Sequence, residues 1–332
     1  MTLMREEASS SWQKIQQQNQ SNNALYQHLA EKIRDFDPAF VYMVGRGTSD
    51  HAGVFARYLI EVELGVVVAA AAPSVASLFS RQLKLNKALV LLISQSGRSE
   101  DLLAQGRAAK QSGALVVALV NDISSPLAAL ADYAIPLLAG PEKAVAATKS
   151  YLCTLSALLQ LVAHWKQDQA LLDALDSLPE ALQHVVEQPA QLQAEHIKTL
   201  RHCVVLGRAF GYAISREVAL KIKEVCGIQA EAFSSAEFLH GPISLLNQPL
   251  TLLNVQLNDE SSAAHDAQIA EVKKRGGVVL TLTLDPVHQA IHPRLQPLLL
   301  MQRFYLDIEA VALALGLNPD APVGLNKVTS TL

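Results

Sequence analysis

Two segments of this sequence place hydroxyl side chains and glycine directly after apolar runs, a pattern suited to binding an anion. The run 41–45 (VYMVG) leads into residues 46–49 (RGTS), and the run 89–93 (LVLLI) leads into residues 94–99 (SQSGRS). The hydroxyl groups belong to Thr48, Ser49, Ser94, Ser96 and Ser99. Where a helix follows a strand, free backbone amides and the helix dipole favour a phosphate group. Each loop alone also fits a simple helix cap, whereas the two together favour a ligand.

Three charged residues farther along the chain have types suited to proton transfer. Glu217, Lys221 and Glu224 lie at i, i+4 and i+7, so they share one face of a predicted helix. Taken alone, this face also fits a solvated row of salt bridges. His240 stands before a Gly-Pro turn and, taken alone, fits a core histidine bonded to backbone.

The elements that must position these residues occur in two copies. The stretch 42–46 (YMVGR) recurs as 204–208 (VVLGR), an offset of 162 residues, and Gly65 falls on Gly227 at the same offset. The loop 256–260 (QLNDE), which follows the second strand of the second copy, is acidic and would repel a phosphate. We therefore expect one anionic ligand site per chain, built mainly on the first copy.

Short apolar runs that end in Gly, Ser or Asn alternate with helical stretches from residue 40 onwards. Because these runs are rich in Val and Ile and lack alternation, they indicate strands buried on both faces of a parallel sheet. The fold class is therefore α/β, with two tandem doubly wound units, parallel sheets flanked by helices, related by duplication. We predict the following organisation: a helical arm over 1–36, a first domain over 37–168, a helical linker over 169–198, a second domain over 199–317 and a tail over 318–332 that closes the active site.

Composition excludes several classes of protein. The net charge is −4 with a pI near 6.2, so the sequence offers no basic field for nucleic acid or anionic lipid. No apolar run approaches membrane-spanning length, and the first residues lack the apolar core of a signal peptide, so we expect a cytoplasmic protein without membrane contacts. Cys153, Cys203 and Cys226 lack metal-ligand spacing, as do the ten histidines, and we expect no metal and no cofactor.

Taken together, these segments resemble the sugar isomerase (SIS) family, specifically the isomerase half of glucosamine-6-phosphate synthase and its deaminase relatives. The shared features are GTS after the first strand, SQSG after the next, the Glu-x-x-x-Lys-x-x-Glu helix, the HGP segment and a lysine in the C-terminal tail. Each motif is weak, but five in the right order on a duplicated fold are specific, and the resemblance covers nearly the whole chain.

The resemblance implies a role for each group of residues. Glu224 would be the base that moves a proton between C1 and C2 of the sugar, with Lys221 beside it orienting the site and Glu217 among the binding residues. A base of this type is what an aldose-ketose shift requires. The sugar phosphate and nearby hydroxyls would be held by Thr48, Ser49, Ser94, Gln95, Ser96 and Ser99.

The same resemblance implies that a second subunit takes part. His240 would assist ring opening by reaching into the site of a neighbouring chain, so a homodimer is expected, and the apolar helix predicted over 148–164 is a candidate for its interface. Lys327 would contact or form a Schiff base with the open-chain carbonyl carbon. Val145 matches a position where the family contacts the sugar through backbone.

Departures from the family's pattern bear on the direction of reaction. The synthase carries a glutaminase domain that supplies ammonia, whereas here Met1 opens directly onto the helical arm. Free ammonia is scarce at neutral pH, so we expect ammonia release, converting glucosamine 6-phosphate and water to fructose 6-phosphate and ammonia. Arg46, Arg98 and Ala147 replace the Cys, Glu and Ser common in the family, and we expect Arg98 to add positive charge near the phosphate.

Two alternatives remain open at this point. One is a deaminase, isomerase or deglycase for another amino-sugar phosphate, such as galactosamine 6-phosphate or fructosamine 6-phosphate. The other is a sugar-phosphate sensor without catalysis. The sensor is disfavoured because no basic DNA-binding segment precedes the first domain and because a sensor has little need of Glu224, His240 and Lys327 together.

Overall fold

The computed structural model describes residues 1–79 and 81–327, which form nine strands and fourteen α-helices. The strands are β1 (Phe40–Val44), β2 (Val68–Ala70), β3 (Ala88–Ser94), β4 (Leu115–Val120), β5 (Tyr133–Pro136), β6 (His202–Gly207), β7 (Gln229–Ser234), β8 (Thr251–Val255) and β9 (Val278–Leu282). The helices are α1 (Leu3–Ser9), α2 (Ser11–Phe36), α3 (Thr48–Leu64), α4 (Ser74–Ser77), α5 (Glu100–Gln111), α6 (Pro126–Leu130), α7 (Lys149–Lys166), α8 (Gln169–Glu187), α9 (Ala194–Ile197), α10 (Phe210–Cys226), α11 (Ser235–Leu239), α12 (Ser262–Lys274), α13 (Pro286–Gln289) and α14 (Gln296–Ala314). A 3₁₀ helix covers Pro242–Asn247.

The chain divides into two compact units, and the first, which we call the five-stranded unit, consists of residues 13–142 and 149–176. Its parallel sheet has the strand order β2-β1-β3-β4-β5. All seven residues of the central strand β3 are buried, so this strand is a continuous apolar run instead of an alternating one. After β1, the chain adds β2 on one side of this strand and then β3 on the other side. The point between β1 and β3 is called the switch point, and sheets of this type bind ligands there, between the loops that follow these two strands.

The core of the five-stranded unit packs helices on the sheet. Val90 and Leu92 of β3 and Val116 of β4 lie in one buried cluster with Leu102 of α5 and Leu127 of α6. Each such side chain contributes about 1.5–3 kcal/mol when fully removed from water. The packing fixes the start of α5 against the end of β3.

The second unit, which we call the four-stranded unit, consists of residues 1–12, 143–148 and 177–327. Its parallel sheet has the strand order β7-β6-β8-β9. A buried cluster joins Leu206 of β6 and Leu252 of β8 to Phe238 of α11 and Ile269 of α12. Helix α14 is buried along most of its length and packs against α10 and α1.

The two units repeat one local design at the predicted offset of 162 residues. Gly45 and Gly207 end equivalent strands, and a Cβ at either would lie within 2.8 Å of backbone atoms in the helix that follows. Gly65 and Gly227 end helices α3 and α10 with φ of 67° and 64°, the left-handed conformation that glycine adopts without strain. The predicted fold class is confirmed, although β5 has no counterpart in the four-stranded sheet.

The division of the chain differs from the predicted domains, since the predicted arm over 1–36 and linker over 169–198 are each divided between the two units. Both compact units are discontinuous in sequence, and the short segment 143–148 belongs to the four-stranded unit. The predicted domains over 37–168 and 199–317 are continuous. Within the described residues, no helix combines the length and apolar character needed to cross a membrane.

The proposed role of the apolar helix over 148–164 in a dimer interface is wrong. This helix is α7, and nearly all of its residues, including Leu152, Leu159 and Val162, are buried within the single chain. It packs against α3. Its apolar composition reflects burial on all sides and leaves no broad face for a second subunit.

Candidate functional site

The two hydroxyl loops lie at the same edge of the five-stranded sheet. Strands β1 and β3 pair in parallel, with Val44 opposite Leu92, so the loops that leave them are neighbours. Helix α3 begins at Thr48 and α5 begins at Glu100. Two helix N-termini therefore face the switch point, where their dipoles favour an anion.

The hydroxyl residues of these loops could alternatively serve only as N-caps of helices α3 and α5. At α3 the N-cap position is held by Gly47, and at α5 it is held by Ser99. Within the described chain, neither residue supplies a side-chain capping hydrogen bond to its helix. Simple capping therefore does not account for the hydroxyl residues of these loops.

The loop after β3 folds into a compact turn around Gly97. The backbone N–H of Gly97 donates to Ser94 Oγ at 3.0 Å, and the N–H of Arg98 donates to Ser96 Oγ at 3.4 Å. Gly97 has a φ of 64°, and a Cβ there would lie 2.1 Å from Ser125 Oγ. Glycine is required at this position for both conformation and space.

Two arginines hold the loops in place. Arg46 Nε donates to Asp101 Oδ2 at 2.7 Å, and the Asp101 side chain is only 4% exposed, so the loop after β1 is tied to the first turn of α5. Arg98 forms an exposed salt bridge with Asp122 at 2.7 Å. The positive charge that we expected Arg98 to provide is therefore shared with a carboxylate.

We predict that Gly97→Ala weakens binding of the sugar phosphate by about 5- to 150-fold, because strain of about 1–3 kcal/mol must distort the loop. The change is checked by isothermal titration calorimetry with fructose 6-phosphate. Gly113→Ala is the matched control, since Gly113 also has a positive φ, of 79°, but has no atom within 4 Å of its Cβ position. Equal affinities in the two variants would show that the loop around Gly97 does not bind the phosphate.

The three charged residues of α10 form a contiguous cluster in the four-stranded unit. Lys221 Nζ lies 3.2 Å from Glu217 Oε1 and 2.5 Å from Glu224 Oε2. The side chains of Glu217 and Lys221 are 0% and 1% exposed, whereas that of Glu224 is 23% exposed. The alternative of a solvated row of salt bridges is therefore wrong, because two of the three members are fully buried.

The cluster continues to a tyrosine that the sequence did not suggest. Tyr305 Oη, on α14, donates to Glu217 Oε1 at 3.3 Å. Burial lowers the pKa of Lys221, but the neighbouring carboxylates of Glu217 and Glu224 outweigh it, so the pKa lies above its ordinary value. Lys221 is a permanent ammonium at neutral pH and holds one oxygen of the only partly exposed carboxylate in the cluster.

That carboxylate borders a cavity of about 450 Å³ between the end of α10 and the segment 317–325. Glu224 and Lys223 provide charged groups at its wall, and most of the remaining wall is apolar. Leu220, Val225, Pro322 and Leu325 are among the apolar wall residues. A carboxylate at the edge of an apolar cavity can remove a proton from a bound carbon acid.

The C-terminal segment meets the short segment 143–148 in the same unit. Lys327 Nζ donates to the carbonyl of Ala144 at 2.7 Å, and the backbone N–H of Val145 donates to the carbonyl of Asp320 at 3.0 Å. Residues that are 183 positions apart in sequence are thus brought into contact. These two contacts bring Lys327 close to the backbone next to Val145.

A residue of the N-terminal arm supports this segment and was missed by the sequence analysis. Glu7 of α1 is 5% exposed, and its carboxylate accepts the backbone N–H groups of Lys143 at 2.5 Å and of Ala144 at 3.3 Å. A glutamate in a polar helix gives no sequence signal for such a role. Only the long-range contact identifies it.

His240 is exposed and lies between α11 and the 3₁₀ helix. Its ring makes no hydrogen bond to any part of the chain that the structure describes. The reading of His240 as a buried core histidine is therefore wrong. Of the apolar residues that follow, Ile243 and Leu246 pack against the core of the four-stranded unit, whereas Leu245 is exposed.

In the four-stranded unit, side chains of the chain itself occupy the positions that correspond to the two hydroxyl loops. Phe210 stands 162 residues after Thr48, and Glu260 stands 162 residues after Arg98. Arg294 forms two hydrogen bonds of 2.8 Å with the Glu260 carboxylate, and its guanidinium lies 4.9 Å from the centre of the Phe210 ring. The Arg294 hydrogen bonds lower the pKa of Glu260 to about 2. The Glu260 carboxylate of the same chain thus holds the arginine at this position.

A buried histidine lies near the ends of β7 and β8. The ring nitrogens of His265 lie 2.9 Å from Ser235 Oγ and 2.6 Å from Asn254 Oδ1. Burial lowers the pKa of His265 below 6.5, partly opposed by Asp266 and Asp259 and reinforced by Arg208.

Because the folded state binds fewer protons at this ring than the unfolded state, its contribution to stability is lost as the pH falls below 6.5. We therefore predict that the urea midpoint of the wild type decreases as the pH is lowered below 6.5. The decrease is expected to be smaller in His265→Gln. Parallel curves for the two proteins would show that this ring does not carry the pH dependence.

The predicted site residues thus fall into two sets. The hydroxyl loops, residues 46–49 and 94–99, lie in the five-stranded unit. The second set lies in the four-stranded unit and comprises Val145, Glu217, Lys221, Glu224, His240 and Lys327. Among the described residues, no three His, Cys, Asp or Glu side chains are grouped so that they could hold a metal ion.

Comparison with known proteins identifies relatives along the whole chain. A family model described as the SIS domain matches residues 37–164 and 196–289. Glutamine–fructose-6-phosphate aminotransferase (isomerizing) of Thermotoga maritima is 31% identical over 309 residues, which cover 86% of this chain and 51% of that protein. The enzyme of the same name from Corynebacterium glutamicum is 32% identical over 320 residues, which cover 86% and 50%. The chain therefore spans about half the length of these curated relatives.

Solved structures give the same picture. A protein of Silicibacter pomeroyi DSS-3, described as a proposed phosphosugar isomerase, is 36% identical and superposes with a TM-score of 0.89 over 96% of this chain and 100% of that one. The C-terminal domain of glucosamine-fructose-6-phosphate aminotransferase from Francisella tularensis is 25% identical, with a TM-score of 0.84 over 97% and 98% of the two chains.

Proposed function

This chain belongs to the SIS domain family, and on that premise we propose that it is an amino-sugar phosphate isomerising deaminase. The proposed reaction converts glucosamine 6-phosphate and water to fructose 6-phosphate and ammonia. The relatives' names join an amino group, fructose 6-phosphate and isomerisation, which supports this substrate class.

The observation that carries the proposal is the partly exposed Glu224 carboxylate, held by a buried ammonium at the edge of a cavity. In the open-chain substrate, Glu224 removes the proton from C2 and returns it to C1 of the resulting enolamine. A proton also passes from the amine nitrogen to the aldehyde oxygen, so the product has a hydroxyl on C1 and a ketimine at C2. Water then adds to C2 and expels ammonia. One base serves both proton transfers, so no net proton is consumed by the enzyme.

The remaining residues take supporting roles in the proposal. Loops 46–49 and 94–99 bind the phosphate through hydroxyl groups, backbone amides and two helix dipoles. Lys221 keeps Glu224 oriented. Lys327 places a positive charge near the sugar carbonyl, where negative charge develops when the C2 proton leaves.

The direction follows from mass action in the assay. In water without added ammonia, the product ammonia stays dilute, so the equilibrium is drawn towards hydrolysis. The same site, supplied with concentrated ammonia, is expected to run the reverse reaction.

The test is to incubate the purified chain with glucosamine 6-phosphate and to follow ammonia and fructose 6-phosphate together. Equal release of both supports the proposal. If ammonia is released from galactosamine 6-phosphate or fructosamine 6-phosphate but not from glucosamine 6-phosphate, the substrate is another amino-sugar phosphate. A raised melting temperature with glucosamine 6-phosphate, without any product, would identify a sensor and contradict the proposed enzyme.

We further propose a homodimer in which His240 completes the site of the partner chain. The exposed ring and the exposed side chain of Leu245 that follows it support this role. Co-expression of His240→Asn with Glu224→Gln chains is expected to restore activity, because one site of each mixed dimer then has both intact residues. Activity no higher than that of either variant alone would contradict a shared site.

A further inference from the structure

A polar cavity of about 490 Å³ lies between α2, α7 and α8 in the five-stranded unit. None of its lining residues belongs to the hydroxyl loops. Six of its nine lining residues carry side-chain amides: Asn19, Gln20, Asn23, Gln27, Gln160 and Gln169. Four of them lie on α2 at helical spacing, and α7 and α8 each add one, so polar side chains of three helices face one space.

The floor of this cavity contains polar groups without protein partners. Gln160, on the otherwise apolar helix α7, is 6% exposed, yet its amide makes no hydrogen bond to any residue that the structure describes. The Nε2 atom of His164, one turn farther along α7, is buried and has no hydrogen-bond partner among the same residues. The His164 ring is stacked on Tyr26, with ring centres 6.2 Å apart.

These two groups differ from Asn19 and Gln169 at the cavity wall, whose amides are bonded to the protein. Asn19 Nδ2 donates to the carbonyl of Leu175 at 3.4 Å, and Gln169 Nε2 donates to Asp173 Oδ1 at 2.6 Å. Buried polar groups are nearly always hydrogen-bonded, because an unsatisfied one costs the full loss of hydration. The floor therefore requires a partner from outside the protein.

The charge of the lining limits the chemistry of that partner. Among the nine lining residues, Asp176 is the only one with a permanent charge. Burial and the nearby Arg34 lower the pKa of His164, so its ring is neutral at pH 7. An anion would meet a carboxylate and no cation. Amides, in contrast, both donate and accept hydrogen bonds, as vicinal hydroxyl groups do.

We propose that this cavity binds an uncharged polyhydroxyl molecule, an unphosphorylated hexose or cyclic polyol, through the amide of Gln160 and the amides of the wall, with the His164 ring beside them. The volume lies within the ordinary range of small-molecule sites. The site is separate from the proposed phosphate loops and does not depend on the proposed reaction. It gives the chain a means to respond to a sugar that its phosphate site does not hold.

The test follows the imidazole signal of His164 by ¹H–¹³C NMR while D-glucose or myo-inositol is added. The signal is assigned by its loss in His164→Gln. A saturable shift with a Kd in the millimolar range is expected for at least one of the two compounds, and inorganic phosphate is expected to leave the signal unchanged.

Gln160→Leu removes the floor amide at similar volume and is expected to weaken binding at least tenfold. Gln17→Leu is the matched control, because Gln17 is exposed on α2 and does not line the cavity. The melting temperature of Gln160→Leu is expected to change little, since no hydrogen bond to a described residue is lost, and this separates lost binding from lost folding. No saturable shift with either compound, or equal affinity in Gln160→Leu, would overturn the proposal and leave water as the occupant.

Discussion

Glu224→Gln is expected to lower kcat for glucosamine 6-phosphate by about 10²- to 10⁴-fold, the usual contribution of a positioned general base. The amide has nearly the shape of the carboxylate but cannot accept the C2 proton. KM is expected to change little, because the phosphate loops lie in another part of the chain. Lys221 retains Glu217 as its partner, so the protein stays folded.

The measurement is a coupled assay of fructose 6-phosphate together with direct detection of ammonia. Glu180→Gln is the matched control, since Glu180 is exposed on α8 and outside the cluster. A kcat within threefold of wild type in Glu224→Gln would place the base elsewhere. The family membership and fold would stand, and only the proposed mechanism would fail.

Lys221→Met is expected to destabilise the protein by about 3–5 kcal/mol, because it leaves a buried carboxylate without its counter-ion. Glu217 is fully buried and keeps Tyr305 as a donor, but a hydroxyl at 3.3 Å does not replace an ammonium at 3.2 Å. The loss is measured as the shift in the urea midpoint. Lys223→Met, on the exposed side of the same helix, is expected to cause little change.

A double variant separates the two causes of this loss. Glu217→Gln combined with Lys221→Met removes both buried charges, and the amide can still accept the hydrogen bond from Tyr305. We expect the double variant to recover much of the lost stability. We also expect it to remain almost inactive, since Glu224 has lost the group that orients it. Equal instability of the single and double variants would show that lost packing of the Lys221 stem, and not charge, is the cause.

In the proposed mechanism, the cluster on α10 serves stability and chemistry through one lysine. A buried ammonium is costly unless it is paired, and two carboxylates at short distances provide that pairing. One carboxylate is sealed in the core and the other is partly exposed at a cavity. The arrangement fixes the exposed carboxylate by interactions that the solvent does not screen.

The fold class was readable from the sequence because its signals are local, and so was the grouping of the α10 charges. Buried parallel strands give continuous apolar runs, and Gly65 and Gly227 mark helix ends at a constant offset. The spacing of Glu217, Lys221 and Glu224 placed them on one helix face. These features depend on the backbone geometry of short segments, which the chain specifies without reference to distant residues.

For the charged face of α10 and for the apolar helix α7, the sequence allowed two interpretations, and only the tertiary structure distinguished them. The spacing on α10 did not distinguish a solvated stripe from a buried cluster, because that depends on α14 packing over it and on Tyr305, 88 residues away. Apolar composition did not tell a buried α7 from an interface helix, since both need the same residues. The contacts of Lys327 with Ala144 and of Arg46 with Asp101 join segments far apart in sequence. Such pairs carry no local pattern, and they form only when the packed cores bring their segments together.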